Sequence, residues 1–246
     1  MRLADNVEVL ELPTQSSVQG GIIHLTLIWD DKTVVLVDAG FPDQLQQIRE
    51  AMNNAGVPFD KLDKVIITHQ DIDHIGSLPD ILRESPHKVE VLSHEEEMPI
   101  EGRKPLIKMN RERLLKMLVS LPEEQRQRME ALFADPPKAS VDTAVADKEV
   151  LPYCGGITVI FTPGHTPGHI CLYLNQTKIL ISGDALVAVD GELCGPNPRA
   201  TYDMDAALKS LKKLTQYDIE TVICYHGGIY RDGANERLAE LSNAAD

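Results

Sequence analysis

The chain has 246 residues, of which 43% are hydrophobic, so it is long enough for one large domain with a sizeable core. Acidic residues outnumber basic ones by 38 to 24, which gives a formal net charge of −14 at pH 7. This charge repels phosphate backbones and anionic lipids, so we expect neither a nucleic-acid nor a membrane partner. The amino terminus lacks a basic region followed by an apolar stretch, and we expect a cytoplasmic protein.

Short apolar runs rich in β-branched residues recur along the chain and stop at Gly, Asp or His, which predicts core strands that end in loops. The runs are GGIIHLTLIW, TVVLVDAG, KVIITH, VEVLSH, GITVIFTPG, HICLYLN, KILISGD and ETVICYHG. Two stretches between them, DQLQQIREAMNNAG and DMDAALKSLKKLTQY, place apolar residues at helical spacing and predict helices. Each group of strands has its own helix, so the pattern predicts an α/β fold with two packed sheets and helices outside.

A cluster of metal-binding residue types directly follows one of these runs, in the sequence HQDIDH. His69, Asp71 and Asp73 alternate, and His74 comes next. Just past a strand end the chain can curl and direct all four side chains to one place. Imidazole and carboxylate ligands suit zinc, manganese and iron, and two divalent cations would offset the repulsion between clustered acids. By itself, the motif also fits residues of a surface turn.

The segment 95–148 has few β-branched runs and carries two helical patterns, IKMNRERLLKMLVSL and PEEQRQRMEALFADPP. We interpret it as a helical insertion, or lid, within a single domain of residues 1–246. Between Arg103 and Lys116 it holds six basic residues and one acid. Two interpretations stay open for this stretch: a solvated helix face, or a lid that guides an anionic substrate. Apolar residues in the segment could pack against the body or a second subunit, and we expect a homodimer.

Three later strand ends also deliver metal-binding side chains. FTPGHTPGH contributes His165 and His169 from a loop rich in Gly and Pro, LISGD ends in Asp184, and CYHGG carries His226. Glycine in such loops allows the backbone to approach a bound ion closely. A single His or Asp at a strand end carries little information. Four successive strand ends that each supply a ligand type predict a metal site where the sheet edges meet.

The combination of THxxxDHIG, TPGHTPGH, SGD and HGG resembles the metallo-β-lactamase superfamily. The resemblance implies an αββα sandwich of two mixed β-sheets flanked by helices, and a dinuclear metal centre. It also implies two ligand groups and one carboxylate that bridges the two ions. The first group is His69, Asp71 and His165, and the second group is Asp73, His74 and His226. The bridging carboxylate is that of Asp184.

Asp71 departs from the family pattern, which has a second histidine at this position. A carboxylate oxygen on a shorter side chain replaces an imidazole nitrogen, so Asp71 could bind the metal directly, bind through water, or leave the first ion weakly held. We expect two divalent ions, with zinc favoured and manganese or iron acceptable. Asp38 resembles the aspartate that lies beneath the family's site and fixes a ligand imidazole. His169 matches no family ligand, and we interpret it as structural.

The resemblance implies a hydrolase in which a metal-bound hydroxide attacks the substrate, with Asp73 and Asp184 as catalytic residues. Asp73 would serve both as a ligand and as a proton shuttle to the leaving group. We predict hydrolysis of an ester-like bond in a small molecule: a lactone, a thioester or a related carboxyl derivative. Val187 stands where acyl-homoserine lactonases of the superfamily place a tyrosine. The first basic residue after Asp184 is Arg199, unlike in glyoxalase II enzymes, so the substrate stays open.

Two alternatives to a hydrolase stay open. Flavodiiron proteins of this fold have a carboxylate at the position of Asp71 and bind two irons for redox chemistry, although no glycine-rich flavin site is present in this sequence. A non-catalytic member that retains one metal is the other alternative. A β-lactamase would imply export, and a tRNA-processing ribonuclease would require a basic surface, so the sequence favours neither.

Overall fold

The structure, a computed structural model, describes residues 1–14, 21–100 and 118–243. Two large β-sheets lie at its centre. The strands of the first sheet are β1 (Arg2–Ala4), β2 (Val7–Pro13), β3 (Ile22–Trp29), β4 (Val34–Val37), β5 (Lys64–Ile66), β6 (Glu90–His94) and β7 (Thr143–Val145). They lie side by side in chain order, antiparallel from β1 to β4 and parallel from β4 to β7.

The later strands form a second sheet and a small hairpin. They are β8 (Val150–Leu151), β9 (Ile157–Phe161), β10 (Ile170–Leu174), β11 (Ile179–Ile181), β12 (Val187–Val189), β13 (Glu192–Cys194), β14 (Thr221–Cys224) and β15 (Gly228–Tyr230). The second sheet has the order β15-β14-β11-β10-β9-β8, with β11 and β14 parallel and its other neighbours antiparallel. Strands β12 and β13 pair with each other.

Two helices, Leu45–Asn54 and Met204–Leu214, form where the apolar spacing of the sequence predicts them. The helices are α1 (Leu45–Asn54), α2 (Ile72–Ile75), α3 (Leu78–Glu84), α4 (Glu123–Ala134), α5 (Met204–Leu214) and α6 (Ala234–Asn243), with 3₁₀ turns at Phe59–Lys61 and Glu95–Ile100. Leu45, Ile48 and Met52 bury one face of α1. The side chain of Asp203 caps α5 by accepting a hydrogen bond from the backbone N–H of Ala206.

Three apolar clusters define four layers. The first packs α1 and α3 against the outer face of the first sheet. The second lies between the sheets, where Val37 and Ile66 belong to the same cluster as Ile170 and Ile181. The third packs α5 and α6 against the outer face of the second sheet. This arrangement is an αββα sandwich, so the predicted fold is confirmed.

Each apolar run predicted as a strand forms one. Strand β2, with the sequence VEVLELP, was not predicted, although its residues pair with β3 along its whole length. The other strands missed by the sequence analysis are two or three residues long and show no alternating pattern. Strands β5 and β11 are equally short, but they were predicted because they lie in the apolar runs KVIITH and KILISGD. Among the described residues, all six missed short strands lie at a sheet edge or in the small hairpin.

The segment 95–148 is described in part. The pattern PEEQRQRMEALFADPP forms α4 as predicted, while the basic stretch from Arg103 to Lys116 lies outside the described residues. Strand β7 also falls in this segment and pairs with β6 at the edge of the first sheet. The insertion, the single domain and the homodimer stay predictions. Among the described residues, no helix is both long enough and apolar enough to cross a bilayer.

Candidate metal centre

The chain curls at the end of β5, as its spacing predicts, because a short helix begins there. His69 lies three residues beyond the last residue of β5, and Asp71 immediately precedes α2. The backbone N–H of His74 donates to the carbonyl of Asp71 at 2.8 Å, which closes the first helical turn. One tight turn therefore brings two alternating acids and two histidines of the motif to the same edge of the first sheet.

The second sheet places its ligand candidates at the ends of its own strands. His165 lies in the loop between β9 and β10, where Gly164 has a φ of 139°. A Cβ on Gly164 would lie 2.2 Å from the backbone nitrogen of Ala207, so only glycine allows the loop to approach α5 this closely. Asp184 follows β11, and His226 follows β14, where it forms an isolated bridge with Ile23 of the first sheet.

The structure brings His69, Asp71 and His165 together as a first group. Oδ2 of Asp71 lies 3.4 Å from Nε2 of His69 and 3.1 Å from Nε2 of His165. One ligand atom from each of these residues and from Asp184 lies within 4.8 Å of all the others, a spacing that could hold a metal ion. The group joins two loops that are distant in sequence: the contacting residues Asp71 and His165 are 94 residues apart in the chain.

Asp73, His74 and His226 form a second group with the same property. Oδ2 of Asp73 lies 3.2 Å from Nε2 of His226 and 3.9 Å from Nε2 of His74. These are the two groups that the family resemblance implied. Their geometry places the predicted ligands together, while metal binding by each residue stays a prediction.

Asp184 lies between the two groups. Its Oδ1 is 3.4 Å from Nε2 of His74 in the second group. Its Oδ2 is 3.3 Å from Nε2 of His165 in the first group and 3.6 Å from Nε2 of His226 in the second. One carboxylate therefore faces ligand atoms of both groups, as a bridging ligand must.

Several ligand atoms that face this cluster are buried and lack hydrogen bonds. Nε2 of His69, Nε2 of His74 and Oδ1 of Asp184 have no hydrogen-bond partner among the described residues. A buried polar atom without a partner costs roughly 1–3 kcal/mol. A coordinated cation would satisfy all three atoms at once, and imidazole nitrogen and carboxylate oxygen are suitable donors for zinc and related ions. The His/Asp cluster is thus able to hold a metal.

The charges of the cluster favour cations. Burial lowers the pKa of His74, but the carboxylates of Asp38, Asp73 and Asp184 outweigh burial and raise it well above its usual value. Burial raises the pKa of Asp184, but His226, His165 and His74 bring it well below its usual value. In the metal-free chain, protons on imidazole thus balance the carboxylates. Divalent cations can take over this role.

A buried carboxylate beneath the cluster orients His74. Oδ2 of Asp38 lies 3.0 Å from Nδ1 of His74, and its Oδ1 accepts a hydrogen bond from the backbone N–H of Thr68 at 2.8 Å. The Thr68 hydroxyl also donates to this carboxylate. Because Nδ1 of His74 donates to Asp38, its Nε2 faces the cluster and would offer its lone pair to a cation that replaces the proton. This is the contact expected of Asp38 from the sequence.

His169 supports the cluster without joining either group. Its Nε2 accepts a hydrogen bond from the backbone N–H of Asp184 at 3.1 Å, and its Nδ1 lies 2.8 Å from the Thr162 hydroxyl. A Cβ on Gly183 would lie 2.7 Å from this Nε2, and Gly183 has a φ of 50°, so glycine is needed beside the ring. We therefore interpret His169 as structural because its ring holds the backbone that carries Asp184.

Two residues at the cluster were missed by the sequence analysis. The ring of Tyr225 stacks on that of His74 with centroids 3.7 Å apart, and its hydroxyl donates to the carbonyl of Asp73. Its position directly before His226 was the one available signal. Glu97 is buried, but it belongs to a run of three glutamates that resembles a solvated acidic stretch, so no sequence pattern indicated its environment.

Comparisons with known proteins agree with this architecture. The sequence model described as the metallo-beta-lactamase superfamily matches residues 18–226. The chain is 33% identical to a probable metallo-hydrolase, YflN, from Bacillus subtilis over 242 residues, which cover 90% of this chain and 86% of the relative. It is 27% identical to hydroxyacylglutathione hydrolase GloC from Haemophilus influenzae, with 90% and 93% covered.

A solved structure shows the same fold. The metallo-beta-lactamase family protein TTHA1429 from Thermus thermophilus matches with a TM-score of 0.74 and 24% sequence identity. The match covers 99% of this chain and 80% of that protein. At this identity the likeness concerns the fold.

Proposed function

The chain belongs to the metallo-β-lactamase superfamily, and from that premise we propose that it is a metal-dependent hydrolase of an ester-like bond in a small molecule. One observation carries the proposal: seven side chains from both sheets meet in two groups. Ligand atoms of three of them, His69, His74 and Asp184, are buried without a hydrogen-bond partner among the described residues. The candidate substrates are lactones, thioesters and related carboxyl derivatives.

The residues present fit two divalent cations. His69, Asp71 and His165 would hold the first, and Asp73, His74 and His226 the second, with Asp184 shared. When bound, two such ions supply Lewis acidity toward a carbonyl oxygen and lower the pKa of water toward neutrality. The donor set suits zinc, while its three carboxylates also make manganese and iron acceptable.

The chain's own groups would orient the substrate and handle protons. The side chains of Asp71 and Asp73 are 24% and 17% exposed, whereas those of His69 and His74 are fully buried. A substrate would therefore approach from the side of the two aspartates. Oδ2 of Asp73 faces His226 at 3.2 Å, which would leave Oδ1 to accept a proton from the attacking water and pass it to the leaving group.

The name of one relative supports the choice of bond. GloC is named as a hydroxyacylglutathione hydrolase, and the bond in an S-acyl glutathione is a thioester. Lactones and thioesters share an activated carbonyl and a leaving group that requires a proton or a counter-charge. The proposed site meets both requirements, since it combines cation ligands with a partly exposed carboxylate.

The experiment is a hydrolysis panel with metal-free protein reconstituted separately with zinc, manganese and iron. The substrates are an acyl lactone, an S-acyl glutathione, an aryl phosphodiester and a β-lactam. We expect turnover of at least one of the first two, lost on chelation and restored by metal. A fully loaded protein that hydrolyses neither carboxyl derivative, or cleaves the phosphodiester alone, would contradict the proposal.

The same panel separates the alternatives. No observation on the described residues favours the di-iron redox hypothesis beyond the carboxylate at Asp71. Visible absorption from bound iron with electron transfer, and without hydrolysis, would support that hypothesis instead. A loaded protein with neither activity would support a non-catalytic member.

A further inference from the structure

Glu97 lies deep inside the molecule at the beginning of the segment that follows β6. Its side chain is buried with 0% exposure, whereas its neighbours Glu95 and Glu96 are exposed. An isolated buried carboxylate is costly unless hydrogen bonds compensate for the lost water. The hydrogen bonds that Glu97 accepts therefore explain why an acidic residue occupies this buried position.

The two oxygens of Glu97 bind two different loops of the metal cluster. Oε2 accepts a hydrogen bond from the backbone N–H of Gln70 at 2.9 Å, and Oε1 accepts one from the backbone N–H of Gly168 at 2.8 Å. Gln70 lies between His69 and Asp71, and Gly168 lies in the loop that carries His165. A single carboxylate thus connects the loops that supply the three residues of the first group.

Close packing fixes this connection. A Cβ on Gly168 would lie 2.7 Å from Cγ of Glu97 and 2.8 Å from its backbone nitrogen. Since real Cβ atoms do not approach this closely, only glycine allows the loop to reach Glu97. The same two loops also meet at the metal cluster, where Oδ2 of Asp71 lies 3.1 Å from Nε2 of His165.

We propose that Glu97 is a positioning residue that sets the separation between the loop of His69 and Asp71 and the loop of His165. It thereby controls the affinity of the first group for its metal ion. The proposal rests on the proposed metal binding. The hydrogen bonds that Glu97 accepts from Gln70 and Gly168 lie on the loops of the first group and not on the residues of the second. Its effect on metal affinity is therefore selective for one of the two ions.

The test is a zinc titration of the metal-free chain in competition with a chromophoric chelator. Wild type is expected to show two binding steps. Glu97→Gln keeps the shape but places an amide NH₂ against one of the two N–H donors. We expect it to weaken one step by about tenfold or more and to leave the other unchanged. His69→Ala identifies the step of the first group, and Glu97→Gln must weaken that same step.

Two further variants complete the design. Glu95→Gln alters an exposed acid of the same 3₁₀ turn and is expected to leave both steps unchanged. Gly168→Ala disturbs the same contact from the opposite side and is expected to weaken the same step as Glu97→Gln. It carries the test if circular dichroism shows that Glu97→Gln does not fold. Amide hydrogen exchange at Gln70 and Gly168 is expected to accelerate in Glu97→Gln without metal.

The outcomes separate this proposal from the proposed hydrolase. Wild-type affinity at both steps in Glu97→Gln, or equal weakening of both steps, overturns the positioning role. A wild-type chain that binds two zinc ions but hydrolyses nothing contradicts the hydrolase and leaves the positioning role standing. A wild-type chain that binds none of zinc, manganese and iron overturns both.

Discussion

The two ligand groups contain similar donors but are supported differently. In the second group, His74 is fully buried, donates to Asp38 and stacks on the ring of Tyr225. In the first group, His69 is equally buried, and Asp71 is 24% exposed, compared with 17% for Asp73 of the second group. The loops of this group are joined through the backbone, by Glu97.

This difference has a physical consequence. Side chains locked by buried partners lose little freedom when an ion binds, whereas residues on loops must be held in place by their tethers. The first group also has a carboxylate where the family has a histidine. We therefore expect the second group to bind its ion more tightly, and the first to be the more adjustable site.

Asp184→Ala should have the largest effect, because it removes the carboxylate that both groups share. We expect the rate of hydrolysis to fall by about 10³-fold or more and the content of both metal ions to decrease. The measurements are turnover and elemental analysis, with the exposed Asp5→Ala as a control. Retained activity with two bound ions would show that Asp184 does not bridge them.

Asp38→Asn should selectively weaken the second group. Asp38 has a φ of 63°, which asparagine tolerates, so the backbone is preserved while the charge that orients His74 is lost. We expect about 10–100-fold weaker binding at one zinc step. An effect confined to the step that His69→Ala also weakens would reverse the assignment of the two groups.

Asp71→His should strengthen the first group, since it restores an imidazole at the point of departure from the family pattern. We expect the weaker zinc step to tighten by about tenfold. Asp71→Asn, which keeps the size and removes the charge, should weaken the same step. Unchanged zinc affinity in both variants would place Asp71 outside the coordination sphere.

Tyr225→Phe should have the smallest effect, because the ring stacked on His74 remains. The variant loses the hydrogen bond to the carbonyl of Asp73, which contributes about 0.5–1.5 kcal/mol to the free energy of unfolding. We expect zinc binding at the second group to weaken by less than about tenfold. Thermal unfolding and the zinc titration measure the two effects. Tyr225→Leu, which also removes the stacked ring, should weaken this step further.

Periodicity and residue type predicted the parts of the molecule with strong local signals. Apolar β-branched runs such as HICLYL became central strands, and DMDAALKSLKKLTQY became α5. The ligand candidates were recognisable because each follows such a run. Strands β8 and β15 were not predicted, since they are too short to show alternation and, unlike the equally short β5 and β11, were not recognised as part of an apolar run.

The supporting residues of the site could not be predicted for a different reason. Glu97 and Tyr225 act through contacts with residues far away in the chain, and no local pattern reports such contacts. In sequence, Glu97 is one of three adjacent glutamates, and its burial becomes evident only in the folded structure. Asp38 was recognisable through the family resemblance alone.

The most direct test of the central claim is anomalous diffraction at the zinc edge from crystals of the reconstituted chain. We predict two peaks about 3.5–4 Å apart. One should lie among His69, Asp71 and His165, and the other among Asp73, His74 and His226, with Asp184 between them. A single peak, or zinc bound away from these side chains, would contradict the proposed dinuclear centre.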